Sequence, residues 1–209
     1  FDCTVPAAHK SVTLTALDAG CDVLGEKPMA ESMEDARQMT ARAAETGKTY
    51  AVIQNRRYNP EILRYKKTIS AADIGSFTGL HADFFIGAHF SGFRTKMDHV
   101  LLLDMAIHSF DEARFLSGTD PVAVTAFDWN PKGSWYNHGA NAVAVFEMTE
   151  GVVFTYRGSW CAEGQNTSWE CAWRATGEKG SVSWDGFETV TGEIMNDDEN
   201  FIHENTELS

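Results

Sequence analysis

Two short segments of this chain carry residues suited to acting on an alcohol carbon. Glu26-Lys27-Pro28 follows the apolar stretch Cys21-Asp22-Val23-Leu24, and further on Asp104 and His108 place a carboxylate and an imidazole one helical turn apart. A carboxylate that accepts from one ring nitrogen fixes the tautomer and leaves the other nitrogen free as a base. A lysine at the end of a buried strand can hydrogen-bond a substrate hydroxyl, and its charge favours the alkoxide that develops as hydride departs. Oxidation of a carbinol by a nicotinamide cofactor needs these groups. Plainer readings stand beside this one. Lys27 could be a solvated lysine in a β-α loop, and Asp104 and His108 a satisfied polar pair on an apolar helix. A two-ligand metal site finds no third ligand at a telling spacing, so no metal is expected. Phe93-Arg94-Thr95-Lys96 is a basic island in an acidic chain. Arg94 could hold an anionic or polyhydroxylated substrate, or the island could be a solvated loop.

The elements that must position these residues are readable from pattern and punctuation. Residues 1–5 read as a strand, and Pro6 to Ala19 as a helix stopped by Gly20. Cys21 to Gly25 read as a second strand. Ser32 offers an N-cap, with Asp35 three residues on, to a helix ending at Gly47, and Thr49 to Gln54 is a third strand. This β-α-β-α-β run implies parallel strands with crossover helices. Asn59-Pro60 then starts a helix with proline at its first position. From Ser76 the pattern turns to longer alternating strands: 76–85, 122–129, 141–148, 152–160, 169–176 and 181–184. One helix, Val100 to Ser117, interrupts them. The expected fold class is therefore α/β, the second half of a Rossmann-like doubly wound sheet over 1–55. An α+β domain with a large, mostly antiparallel sheet follows over 56–209. The polar tail from Gly192 reads as incomplete or disordered.

Composition narrows the partners. The 209 residues carry a formal charge of -13, which argues against nucleic acid or an anionic membrane, since both attract a basic surface. Six acids and no Lys or Arg lie between Glu193 and Ser209. No run approaches the roughly 20 apolar residues of a membrane span. Cys3, Cys21, Cys161 and Cys171 show no Cys-x-x-Cys spacing. Cys3 and Cys21 sit in apolar contexts where a buried thiol is expected, and the set implies a reducing compartment, hence a cytoplasmic protein. His81, His89, His99 and His138 read as structural or surface residues. Trp135, Tyr136, Trp160, Trp169, Trp173 and Trp184 read as core or subunit contact in preference to a sugar-stacking wall.

Four segments, in order, resemble the Gfo/Idh/MocA family of NAD(P)-dependent oxidoreductases, which act mostly on sugars, inositols and related carbinols. They are Thr4-Val5-Pro6-Ala7-Ala8-His9, Ala19 to Pro28, Gln54 to Pro60, and Asp104-Met105-Ala106-Ile107-His108-Ser109-Phe110-Asp111. By this resemblance Lys27 assists cofactor and substrate, His108 is the general base, and Asp104 orients it or touches a substrate hydroxyl. Pro6, His9, Glu26, Lys27 and Pro28 would border the nicotinamide of NAD or NADP. Asp104 and His108 would meet the polyol or sugar, joined by Arg94 on the separate ground of its basic island. The family's Gly-x-Gly-x-x-Gly loop would precede Phe1, so the chain alone is expected to bind nicotinamide nucleotide poorly. The usual glycine-rich lead-in is replaced by Met97-Asp98-His99-Val100-Leu101-Leu102-Leu103. Two other readings remain: an NAD-dependent glycosidase-type elimination enzyme, and a non-catalytic binding or dimerisation module. A homo-oligomer through the second-domain sheet is expected.

Overall fold

Two short strands lie at the centre of the first unit, the first of them leading directly into Glu26-Lys27-Pro28. In the computed structural model, which describes residues 1–197 and 200–208, β1 (Val23–Gly25) and β2 (Tyr50–Val52) run parallel with Val23 opposite Tyr50. The strand expected over 1–5 is only a single parallel bridge, Asp2 to Gly25. It is held by Asp2 N–H donating to the Leu24 carbonyl and Glu26 N–H donating to that of Asp2, at 2.9 and 2.8 Å. α1 (Pro6–Asp18) starts on its proline. α2 (Met33–Thr46) is capped by Ser32, whose side chain accepts from Asp35 N–H at 3.1 Å, and ends at Gly47 with φ 66°. That left-handed angle is one glycine adopts without a Cβ clash. Leu17, Val23 and Ala43 form the small core of this unit, Phe1–Asn55. Cys3 and Cys21 are exposed, against expectation, because the strands around them are shorter than the apolar runs suggested.

The second unit, Arg56–Ser209, opens with a 3-10 turn at Arg56–Tyr58 and α3 (Pro60–Ala71), where Asn59 accepts from Glu61 N–H. β3 (Phe77–Phe85) leads to a 3-10 turn at Gly92–Lys96. The single helix expected over 100–117 has two parts: a π-helix over Leu101–Ala106, then α4 (Ile107–Ser117), closed by Gly118 at φ 73°. Seven strands follow: β4 (Pro121–Trp129), β5 (Asn141–Met148), β6 (Val153–Ser159), β7 (Ala172–Gly177), β8 (Gly180–Trp184), β9 (Val190–Met195) and β10 (Asn205–Glu207). Of the two readings of the tail from Gly192, incomplete or disordered, β9 and β10 correct the second over their own residues. Backbone pairing, β9 to β8 and β10 to β9, supplies what their side chains do not advertise.

The eight strands form one sheet in the order β10-β9-β8-β7-β3-β6-β5-β4, antiparallel throughout except where β3 meets β6. Alternation assigns the faces. Leu80, Ala82, Phe84, Phe154, Tyr156, Trp173, Ala175, Val182 and Trp184 are buried in the core. On the other face His81 Nδ1 meets Thr155 Oγ1 at 2.7 Å, and Arg157 donates two hydrogen bonds to Asp83 at 2.7 and 2.5 Å. Each large side chain so buried contributes about 1.5–3 kcal/mol. The π-helix and α4 lie on the core side, with Leu101, Met105, Ala106, Ala113 and Leu116 in the same hydrophobic cluster as the sheet residues.

Candidate active site

In the first unit the loop after β1 is fixed from below. His9, on α1 and 1% exposed, places Nδ1 2.9 Å from the Pro28 carbonyl and Nε2 3.0 Å from the Thr4 carbonyl. It thereby ties the segment before α1 to the segment carrying Lys27. The Lys27–Pro28 peptide is cis, and Glu26 Oε2 accepts from Lys27 N–H at 3.3 Å. Glu26, Lys27 and Pro28 therefore stand just past the carboxyl end of a parallel strand, where open α/β sheets bind ligands. Pro6 is the first residue of α1.

In the second unit Asp104 and His108 are both buried, 4% and 6% exposed. They straddle the junction between the π-helix and α4. The wider turn of a π-helix recurs at functional sites, because it re-aims side chains relative to a regular helix. Arg94, from the 3-10 turn ten residues earlier, clamps Asp104: Nε donates to Oδ2 at 2.6 Å and Nη2 to Oδ1 at 3.5 Å. Phe90 and Phe93 lie 5.0 and 4.8 Å from the Arg94 guanidinium carbon, so aromatic faces hold the cation in place. Sequence reading placed Arg94 and Asp104 separately near a substrate. The structure brings them together as an ion pair whose carboxylate end is sealed from water.

Two further groups surround α4 and escaped the sequence reading. Arg57 grips Asp111 through both carboxylate oxygens, with Nε to Oδ2 at 2.7 Å. Glu112, 1% exposed, lies against the Glu170 carboxyl, and Arg56 Nη1 reaches Glu170 Oε1 at 3.5 Å. Burial pushes the Glu112 carboxyl well above the usual carboxylate range; the Glu170 charge adds to this and Arg56 opposes it. The buried Cys171 thiol, 3.1 Å from Ser109 Oγ, is likewise pushed up, mainly by burial. The available signal was spacing: Glu112 follows His108 by four residues, as His108 follows Asp104.

The other expectations resolve locally. His89, His99 and His138 pair with Glu163, Asp128 and Asp98, and Trp160, Trp173 and Trp184 lie in the core while Trp169 is 43% exposed. Among the described residues no group of three His, Cys, Asp or Glu side chains could hold a metal, and no helix is long and apolar enough to cross a membrane. A groove of about 520 Å³, lined by residues including His81, Asp83, Arg157 and Arg174, opens on the outer sheet face. It involves neither Asp104 nor His108.

A unit of two parallel strands alternating with two helices is followed in the chain by an α+β unit built on one broad sheet. The family model of the GFO/IDH/MocA C-terminal domain matches residues 62–183, and that of the oxidoreductase family, NAD-binding Rossmann fold, matches 3–54. The chain belongs to the Gfo/Idh/MocA family. It is 30% identical over 129 residues to 1,5-anhydro-D-fructose reductase of Ensifer adhaerens, spanning 59% of this chain and 38% of that protein. It is 27% identical over 156 residues to scyllo-inositol 2-dehydrogenase (NAD(+)) of Bacillus subtilis, spanning 72% of this chain and 45% of that protein. The crystal structure of an oxidoreductase from Agrobacterium radiobacter in complex with NAD+, L-tartaric acid and magnesium shares the fold. Its TM-score is 0.83 at 20% identity, covering 93% of this chain and 57% of that one.

Proposed function

We propose that the protein is an oxidoreductase that moves a hydride between NAD or NADP and a carbinol carbon of a sugar, inositol or related polyol. The observation that carries this reading is the buried Asp104 and His108 at the π-to-α junction, with Asp104 clamped by Arg94. His108 takes the hydroxyl proton as hydride leaves the carbon. The Arg94–Asp104 pair binds and orients neighbouring hydroxyls, and the Lys27 ammonium favours the alkoxide. The loops at the carboxyl end of β1 fit a nicotinamide, since His9 holds Thr4 and Pro28 at fixed spacing from one imidazole. Pro6, His9, Glu26, Lys27 and Pro28 would hold it. A bound nicotinamide supplies the hydride acceptor, or the donor in the reverse direction. The names of the relatives direct the choice of substrates to cyclic polyols and reduced sugars. Four free cysteines accord with the cytoplasm.

The test is to incubate the full-length protein with NAD or NADP and a panel of inositols, anhydro-sugars and aldoses, following reduced nicotinamide by absorbance. Substrate-dependent formation of NADH or NADPH is expected. Release of a sugar from a glycoside without net reduction of the cofactor would replace this reading with the elimination chemistry. Binding of a partner with neither reaction would leave a binding module.

A second copy of the chain is the proposed macromolecular partner. Phe127, Trp129, Val143, Val145 and Val153 are exposed on one face of β4, β5 and β6, between 37% and 65%, and such a continuous apolar stripe marks an interaction surface. Val145→Glu is a substitution at a half-exposed position, with little expected cost to the protomer. It should convert the oligomer to a monomer in light scattering, and an unchanged mass would remove this face from the contact.

A further inference from the structure

The carboxylate expected to orient His108 was Asp104, one turn before it. In the structure Asp104 is the anion of the Arg94 ion pair, which suits it to substrate hydroxyls. A different carboxyl lies one turn after His108. Glu112 follows at i+4 on α4, and both side chains are buried. Helical side chains lean toward the N-terminus, so Glu112 covers the turn that bears His108. Its Oε1 is buried without a hydrogen-bond partner among the described residues, which is costly for a carboxyl oxygen unless it serves a purpose. The terminal torsions of histidine and glutamate are broad, so the two groups can meet without moving the helix.

The groups facing Glu112 define its protonation. Glu170 and Cys171 come from the segment before β7, Arg56 from the 3-10 turn before α3, and Asp111 from α4 itself. Arg56 is ion-paired to Glu170 and donates to the Trp169 carbonyl. Two carboxyls in contact with one adjacent cation share one proton, because both cannot ionise side by side in a buried site. The cation sits on Glu170, so the proton sits on Glu112.

Resting on the reading of His108 as the base, we propose that neutral Glu112 is its positioning residue. Glu112 accepts the His108 Nδ1–H through Oε1 and donates its own proton to Glu170, whose charge is balanced by Arg56. The chain runs His108 Nδ1–H, Glu112, Glu170, Arg56. It fixes the tautomer that leaves Nε2 free to receive the substrate proton, and the Glu112 carbonyl dipole facing Nδ1–H stabilises the imidazolium that results. No bond to carbon changes in this chain; each proton stays on the atom named, shared along a hydrogen bond.

The experiment is nitrogen NMR of the full-length protein labelled at histidine, with the His108 signals identified by their loss in His108→Ala. The wild type should show Nδ1 protonated and Nε2 bare. Glu112→Leu removes the acceptor and should lose the Nδ1–H tautomer, with kcat falling by about 10²-fold or more and KM little changed. Glu112→Gln mimics the protonated carboxyl, its carbonyl accepting and its amide donating, and should keep both tautomer and rate. A wild-type His108 protonated at Nε2 overturns the proposal without any variant. A glutamine variant that loses the tautomer overturns it too, as does a leucine variant that changes the tautomer but not kcat. If the wild type oxidises no polyol, the oxidoreductase reading fails, and the tautomer alone still decides whether Glu112 positions His108.

Discussion

Replacing His108 with alanine in the full-length enzyme should lower kcat by about 10²–10⁴-fold, the range a positioned general base supplies. That corresponds to about 2.7–5.4 kcal/mol of barrier. The proton of the carbinol must leave as hydride departs, and without an acceptor the alkoxide forms against water alone. KM should change little, because the Arg94–Asp104 pair proposed to meet the substrate hydroxyls is untouched. The ascending limb of the pH–rate profile, which reports the essential base, should flatten. The measurement is kcat and KM across pH for wild type and variant, with the melting curve confirming an intact fold. An unchanged kcat would take His108 out of the base role, whatever the substrate.

The second large effect is on stability. Trp184, 1% exposed at the end of β8, lies 5.5 Å from the Tyr65 ring of α3. Its indole N–H donates to the Phe187 carbonyl at 2.9 Å, and Tyr65 donates to the Val182 carbonyl at 2.9 Å. Burial raises the Tyr65 phenol, so it stays a donor at any working pH. Trp184→Ala removes this contact between helix and sheet and opens a cavity, an expected loss of about 3–5 kcal/mol. Against the 5–15 kcal/mol typical of a folded domain, that is about a third or more. Denaturant unfolding should show a lower midpoint with an unchanged slope. Trp184→Phe keeps the ring contact and loses only the indole hydrogen bond, for a smaller shift. Equal midpoints for wild type and alanine variant would show that α3 does not depend on this contact.

Much of the fold was legible because the punctuation was local. Ser32 with Asp35, Gly47, Asn59-Pro60 and Gly118 each mark a helix end that the structure places within a residue or two. The outward and inward faces of β3, β6, β7 and β8 follow from alternation alone. Three things were not legible. The π-helix at Leu101–Ala106 has a sequence, Leu-Leu-Leu-Asp-Met-Ala, that reads equally well as α-helix. β9 and β10 lie in a stretch rich in acids and exist through backbone pairing, β9 to β8 and β10 to β9, which side-chain patterning does not report. The strand expected at 1–5 was read from apolar residues, yet one bridge is all that forms. At the candidate site, Asp104 and His108 stand out in the sequence by type and spacing, and the structure buries both. The Arg94 clamp, the Arg57–Asp111 pair and the Glu112–Glu170–Arg56 cluster were not, because each joins residues from separate elements that only the folded chain brings together.

The parallel junction of β3 and β6 constrains how this domain comes into being. β3 ends at Phe85, and its two neighbours in the sheet begin only at Val153 and Ala172. The middle strand therefore waits for chain emerging some seventy to ninety residues later before either edge is paired. Such long-range closure is slow compared with hairpin formation, and β4 and β5, which are neighbours in sequence, can zip first. The helical segment bearing Asp104 and His108 lies within this loop and packs on the sheet that closes last. A nascent chain would carry these polar side chains on a helix without a floor, so their burial, and any activity they support, comes at the end of folding.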